Sequence, residues 1–291
     1  MKTRIVTSAF IIAVMIVVLC LSATPVYPLT VSALAVIAVK EVLAVVGLWK
    51  KRSVSVPSVT IAAIMPSLAY VMSEVRTDPA YKFIIALALS LFVFMIYLFV
   101  VAVFSRKVET EEEKSNESEL TFTDLASGFV LVMYVVCCFS AISLIRYIDK
   151  IGLFCLGMVL IGAWISDVFA YFTGMLLGKH KLIPAVSPKK TVEGAIGALV
   201  FTTLAMILYG FLVSVFTELT PNYLVLGISG PILSATGQIG DLVASLVKRE
   251  RGVKDYGKLL PGHGGIMDRF DSILTVSGAT MIIVLLFAPF T

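Results

Sequence analysis

The sequence predicts an all-α, polytopic integral membrane protein with about nine transmembrane helices, and three observations support this class. Hydrophobic residues make up 59% of the 291-residue chain and its mean hydropathy is +1.00, whereas soluble globular chains are about 45–50% apolar. Only 14% of the residues are charged, and the longest polar stretch, residues 105–119, is too short to be a domain. The remaining sequence forms long apolar runs that suit helices crossing a hydrocarbon core of about 30 Å.

Nine apolar segments follow one another along the chain, and each is long enough to span a membrane as a helix. The first segment resembles a signal peptide because it follows Lys2 and Arg4, but its length and the later segments favour an uncleaved helix. The third is the weakest prediction because it contains Pro57 and Pro66, and proline disturbs a helix interior. The nine predicted spans are residues 5–23, 29–49, 56–73, 82–104, 122–146, 151–177, 194–216, 222–246 and 265–289.

Lysines and arginines predict the orientation, because alternate loops of a nine-span protein lie on opposite sides of the membrane. Seventeen of them fall on the side of the N-terminus and four on the other side. Since cytoplasmic loops contain an excess of these residues, the N-terminus is predicted to be cytoplasmic. The same orientation places two unusual loops, residues 178–193 and 247–264, in the cytoplasm, where nucleotides are found.

A polar cytoplasmic linker is predicted for residues 105–121. Its acidic run, Glu109 to Glu113, has serine and asparagine neighbours, which is typical of a solvated segment. The linker separates N-terminal membrane spans in residues 1–104 from a C-terminal membrane catalytic region in residues 122–291.

Four aspartates inside or at the ends of the later spans are candidate catalytic and metal-binding residues. Asp268 and Asp271 are three residues apart, so a helix would place them on one face. Clustered carboxylates repel one another, so either some are protonated or cations hold them together, and hard oxygen ligands suit Mg²⁺. The alternative is a set of structural ion pairs between spans, for example with Arg269. The four candidates are Asp167, Asp241, Asp268 and Asp271.

The loop at residues 178–193 contains candidate phosphate-binding residues. Ser187 is predicted to be a helix N-cap with Pro188 at the first helical position. A helix N-terminus that bears Lys189 and Lys190 would favour phosphate through free N–H groups and through charge. The alternative is that these lysines only lie near anionic lipid headgroups.

The connection between the last two spans adds further candidates. Lys248 and Arg249 follow the eighth span, and Ser245 shares a helix face with Asp241 four residues earlier. The glycine-rich segment 260–265 then enters the ninth span, and it is either a phosphate-binding loop or a tight turn. His263 lies in this segment, where it could donate to a phosphate, act as an acid or cap the helix.

A charged pair, Lys40 and Glu41, interrupts the second apolar segment. Lys40 lies about 15 Å along the helix from Lys50, near mid-depth of the membrane. The pair could form an internal ion pair or line a polar cavity, and a structural role is favoured.

Cytoplasmic loops suited to phosphate, next to carboxylates at the membrane surface, indicate metal-assisted phosphoryl or nucleotidyl transfer onto a lipid. An ion or proton transporter could use the same acids. A transporter needs polar residues near the midplane and an exit to the far side. Here the acids cluster with lysines toward one side, so an enzyme is favoured.

The final motifs resemble the signature of phosphatidate cytidylyltransferases, also called CDP-diacylglycerol synthases. The resemblance covers residues 160–275 and is densest in residues 245–271. Further family elements are Asp167 with Tyr171 and Gly174, and Gly237 with Gly240 and Asp241. The matching runs are SLVKR at 245–249, KDYG at 254–257, LPGHGGIMDRFD at 260–271 and SPKKTVEG at 187–194.

This resemblance implies that CTP and phosphatidate react to give CDP-diacylglycerol and pyrophosphate, with Mg²⁺ and a second cation such as K⁺. It also implies a homodimer in a membrane such as the bacterial plasma membrane, and no nucleic acid is expected as a partner. The four aspartates would be metal ligands, with Asp241, Asp268, Asp271 and His263 as catalytic residues. A CTP-dependent lipid kinase shares some of these features and is the alternative enzyme. The implied phosphate contacts are Ser187, Lys189, Lys190, Ser245, Lys248 and Arg249.

Overall fold

Nine α-helices, one for each predicted span, make up most of the described chain and confirm the all-α class. The computed structural model describes the backbone of residues 2–73, 79–104 and 120–291, and side chains from residue 11 onward in these ranges except at residue 79. The predicted linker at 105–121 therefore lies almost entirely outside the described residues. The helices are α1 Lys2–Cys20, α2 Val26–Val45, α3 Arg52–Ser73, α4 Pro79–Phe104, α5 Phe122–Arg146, α6 Gly152–Leu177, α7 Val192–Phe216, α8 Tyr223–Glu250 and α9 Met267–Leu286.

Seven of these helices are long and apolar enough to cross a membrane within the described ranges, namely α2 to α7 and α9. The predicted count of nine spans is therefore approximate. Helix α8 has 28 residues, about 42 Å at helical rise, so length does not exclude it. Its lower apolar content reflects serine, glycine, glutamine and aspartate residues on the surface that packs against α6, α7 and α9.

The helices pack as two neighbouring groups joined at α9. Helices α2, α3 and α5 contact one another and α4 packs on α3 and α5, whereas α6, α7, α8 and α9 form the second group. Helices α5 and α6 both pack on α9, and α2 also reaches it. Helix α9 therefore contacts both halves of the chain, which decides how the site residues at its N-terminus are held.

A two-stranded antiparallel hairpin between α6 and α7 corrects the prediction that Ser187 caps a helix. Strand β1, Lys181–Ile183, pairs with strand β2, Ser187–Thr191, so that Ser187 lies opposite Ile183. Helix α7 begins after Thr191, whose backbone is extended and whose hydroxyl accepts from the Gly194 N–H at 3.2 Å. Because β1 offers backbone partners to residues 187–191, this segment stays extended and the helix starts at the next suitable cap.

Candidate active site

The connection between α8 and α9 folds back into a tight turn before α9 begins. The Leu260 N–H donates to the Gly264 carbonyl at 2.9 Å, and the His263 N–H donates to the Leu260 carbonyl at 2.9 Å. Gly262 and Gly264 have φ angles of +77° and +86°, a left-handed conformation that glycine adopts without strain. The segment therefore forms a tight turn, which is one of the two predicted alternatives. His263 lies in this turn, shortly before α9 begins at Met267.

Asp268, in the first turn of α9, holds this connection in place. Its side chain is 2% exposed, and its Oδ1 atom lies 2.8 Å from Nζ of Lys248 on α8. Its Oδ2 atom accepts from the N–H groups of Tyr256 at 2.7 Å and Gly265 at 3.0 Å. Both oxygens are therefore engaged by charge-assisted contacts, which are the strong kind in a buried setting.

Tyr256 reinforces the same arrangement from the loop. Its hydroxyl donates to the Ala244 carbonyl of α8 at 3.1 Å, and its ring centroid lies 5.4 Å from Nζ of Lys248. Burial and the nearby charges of Asp268 and Asp271 raise the pKa of the Tyr256 phenol above its ordinary value. The phenol therefore stays neutral and acts as a hydrogen-bond donor at physiological pH.

A second ion pair joins the hairpin to α8. Nζ of Lys190 lies 2.7 Å from Oδ2 of Asp241 and 3.5 Å from the Gln238 carbonyl. The Ser245 hydroxyl donates to Oδ1 of Asp241 at 3.5 Å, as their spacing on one helix face predicted. The contact between Lys190 and Asp241 brings both unusual loops to the same end of the helix bundle.

Asp167 on α6 and Asp271 on α9 lie beside this second pair. Oδ1 of Asp271 accepts from the Ser272 N–H at 2.8 Å, and the Ser272 hydroxyl donates to Oδ2 of Asp167 at 3.4 Å. Both aspartates interact electrostatically with Asp241. The Tyr134 hydroxyl of α5 donates to the Asp271 carbonyl at 3.1 Å and fixes this part of α9. Three carboxylates from three helices therefore lie near one another.

The model of the cytidylyltransferase family matches residues 2–287. The chain belongs to the cytidylyltransferase family.

Several curated relatives of this family member are named phosphatidate cytidylyltransferase. The protein of Bacillus subtilis strain 168 is 42% identical over 158 residues, which cover 54% of this chain and 57% of that protein. The protein of Staphylococcus haemolyticus is 50% identical over 113 residues, which cover 39% of this chain and 42% of that protein. The chain thus spans about half the length of the curated relatives that it matches.

The carboxylates of this cytidylyltransferase-family chain have suitable chemistry for Mg²⁺, although the ligand set stays a prediction. In the described parts of the chain, no group of three or more His, Cys, Asp or Glu side chains is arranged to hold a metal ion. Magnesium commonly takes one or two carboxylates and completes its shell with substrate phosphates and water. Asp167, Asp241 and Asp271 stay the candidate ligands, and Asp241 would have to exchange its contact with Lys190, just as Asp268 would have to exchange its contacts with Lys248 and the backbone.

The remaining predicted phosphate contacts are Lys189, Arg249 and Ser187. Lys189 is exposed on β2, where strand alternation turns it away from the face of Lys190. Arg249 is exposed in the last turn of α8, and Ser187 is half-buried at the start of β2. Their roles stay predictions.

Proposed function

We propose that this chain transfers the cytidylyl group of CTP to phosphatidate, giving CDP-diacylglycerol and pyrophosphate. One observation supports this most directly: two lysine–aspartate pairs, Lys190 with Asp241 and Lys248 with Asp268, adjoin two further carboxylates at one end of the bundle. The name shared by the curated relatives, phosphatidate cytidylyltransferase, supports the identity of the substrates.

In the proposed reaction, a phosphate oxygen of phosphatidate attacks the α-phosphorus of CTP. A new P–O bond forms there, and the bond to the bridging oxygen breaks, so that pyrophosphate leaves with the electron pair. The nucleophile is already anionic, so no strong general base is needed, and the main barrier is the repulsion between two anions. We propose that the ammonium groups of Lys190 and Lys248 offset that repulsion.

We propose that Asp241, Asp271 and Asp167 hold Mg²⁺, together with a second cation such as K⁺. Bound Mg²⁺ would supply charge neutralisation for the phosphates in the transition state. In this proposal Ser272 orients the carboxylates of Asp271 and Asp167 through its N–H and its hydroxyl. Lys190 holds the carboxylate of Asp241.

The proposed setting is a bacterial plasma membrane with the N-terminus and both site loops on the cytoplasmic side. The excess of lysine and arginine on that side supports this orientation, and the bacterial relatives support the membrane. We also propose a homodimer, by likeness to the family. Thiol labelling of single-cysteine variants in right-side-out vesicles tests the orientation, and labelling of loop 247–264 from outside would contradict it.

Product analysis tests the proposed reaction. Purified protein is incubated with phosphatidate in mixed micelles, Mg²⁺ and CTP labelled at the α-phosphate. Label in the lipid fraction is expected, and a chelator should abolish its transfer. Label that stays in free CDP would instead indicate a lipid kinase, and cation flux in vesicles without turnover would indicate a transporter.

A further inference from the structure

Glu41, in the last turns of α2, contacts the first residues of α9. Its carboxylate accepts from the N–H groups of Ile266 at 3.1 Å and Met267 at 2.8 Å. The residue is 7% exposed, and the contacts span 225 and 226 positions of sequence. An acid from the N-terminal half therefore binds the start of the helix that bears Asp268 and Asp271.

Helix α9 needs such a partner because its own sequence supplies no side-chain cap. The N-cap residue is Ile266, which makes no capping hydrogen bond, although the first N–H groups of every helix lack partners within the helix. A carboxylate satisfies these donors and also interacts favourably with the positive end of the helix dipole. Glu41 thus performs from α2 the role that a local serine or aspartate performs in other helices.

The loop before α9 is shaped around this carboxylate. A methyl group added at Gly257 or at Gly265 would collide with the Glu41 side chain. Asp268 meanwhile binds the N–H of Gly265. Glu41 and Asp268 together therefore hold three consecutive backbone amides, those of residues 265, 266 and 267.

Lys40, the neighbouring charge on α2, lies beside an aromatic ring. Its Nζ atom lies 5.6 Å from the centroid of the Trp49 ring. The adjacent charges in the second helix therefore have separate partners, and the contact between Glu41 and α9 is the one that reaches the candidate site.

We propose that Glu41 is a positioning residue for the reaction: it sets the N-terminus of α9 so that Asp268 and Asp271 face Lys248 and Asp241. This inference rests on the proposed function. A displacement of about 1 Å at a reacting group can reduce turnover about 100-fold. Loss of the Glu41 contact should therefore lower kcat strongly while leaving the KM for CTP nearly unchanged, because the lysines remain in place.

The first test compares Glu41→Gln with Ser32→Ala in CDP-lipid formation. Gln keeps the shape of the side chain but replaces one acceptor with a donor that faces an N–H group. Ser32 is a matched control, since it is a buried polar residue of α2 that bonds to Ser67 of α3 at 2.7 Å. A fall in kcat of about 100-fold, specific to Glu41→Gln and without a matching rise in KM, is expected. Unchanged kcat in folded Glu41→Gln would overturn the positioning role.

The second test uses Gly257→Ala, which crowds the Glu41 carboxylate without removing it. This variant should lower kcat in the natural background and have a smaller effect in a Glu41→Ala background, where the remaining close neighbour of the added methyl group is Gly265 Cα at 3.1 Å. Equal losses in both backgrounds, or wild-type kcat in Gly257→Ala alone, would refute the proposal even if Glu41 variants fold poorly. If the unmodified protein makes no CDP-lipid, the proposed function fails instead, so the two failures are distinguishable.

Discussion

Breaking the ion pair between Lys248 and Asp268 should destabilise the fold strongly as well as disturb the site. The side chains are 12% and 2% exposed, and two backbone N–H groups also bind Asp268. Removing one partner of such a buried pair leaves an uncompensated charge and costs about 3–5 kcal/mol. The other pair, Lys190 with Asp241, is 23% and 30% exposed, so its coupling should be closer to that of surface pairs, about 0.2–1 kcal/mol.

A double-mutant cycle measures this difference. Asp268→Asn, Lys248→Met and the double variant are unfolded reversibly in detergent, and helix content is followed by circular dichroism. The same cycle with Asp241→Asn and Lys190→Met is the control. The coupling free energy of the first cycle should exceed that of the second by at least about 2 kcal/mol. Equal couplings, or a stable and fully active Asp268→Asn variant, would refute the interpretation of Asp268 as a buried anchor.

Three further predictions follow from the geometry. Asp271→Asn should raise the Mg²⁺ concentration for half-maximal turnover at least about tenfold, and an unchanged requirement would remove Asp271 from the proposed ligands. Gly240→Ala places a methyl group 2.6 Å from the Asp271 carbonyl, so it should cost about 1–3 kcal/mol of stability and lower turnover. Gly227→Ala on the same helix meets nothing within 4 Å and should be neutral in both assays. All four cysteines are free, so a thiol reductant should leave the melting temperature unchanged, and a decrease would contradict this.

The helices were predictable because each span requires about 20 apolar residues, and such runs are visible without tertiary information. Even the third segment forms one helix, Arg52–Ser73, through both of its prolines. The hairpin was not predictable in the same way. Serine followed by proline suits a helix start, and only pairing with residues 181–183 makes Ser187 part of a strand.

In the candidate site too, contacts between residues close in sequence were predictable, and contacts between distant residues were not. The helical spacing of Asp241 and Ser245 correctly placed them in contact, because that relation is local. The contact of Tyr256 with Asp268 was not predicted, because it depends on how the loop before α9 folds back. The contact of Ser272 with Asp167 was not predicted either, because it depends on how α6 packs against α9. Glu41 is visible in the sequence as a charge inside an apolar run, but its partner lies 225 positions away, and no local pattern indicates such a contact.

The most direct test of the account uses CTP labelled with tritium in the cytosine ring and with ³²P at the γ-phosphate. Cytidylyl transfer to phosphatidate predicts tritium in the lipid fraction and ³²P in released pyrophosphate, in equal amounts. Lipid that contains ³²P, with tritium left in free CDP, would contradict the account by showing attack at the γ-phosphorus.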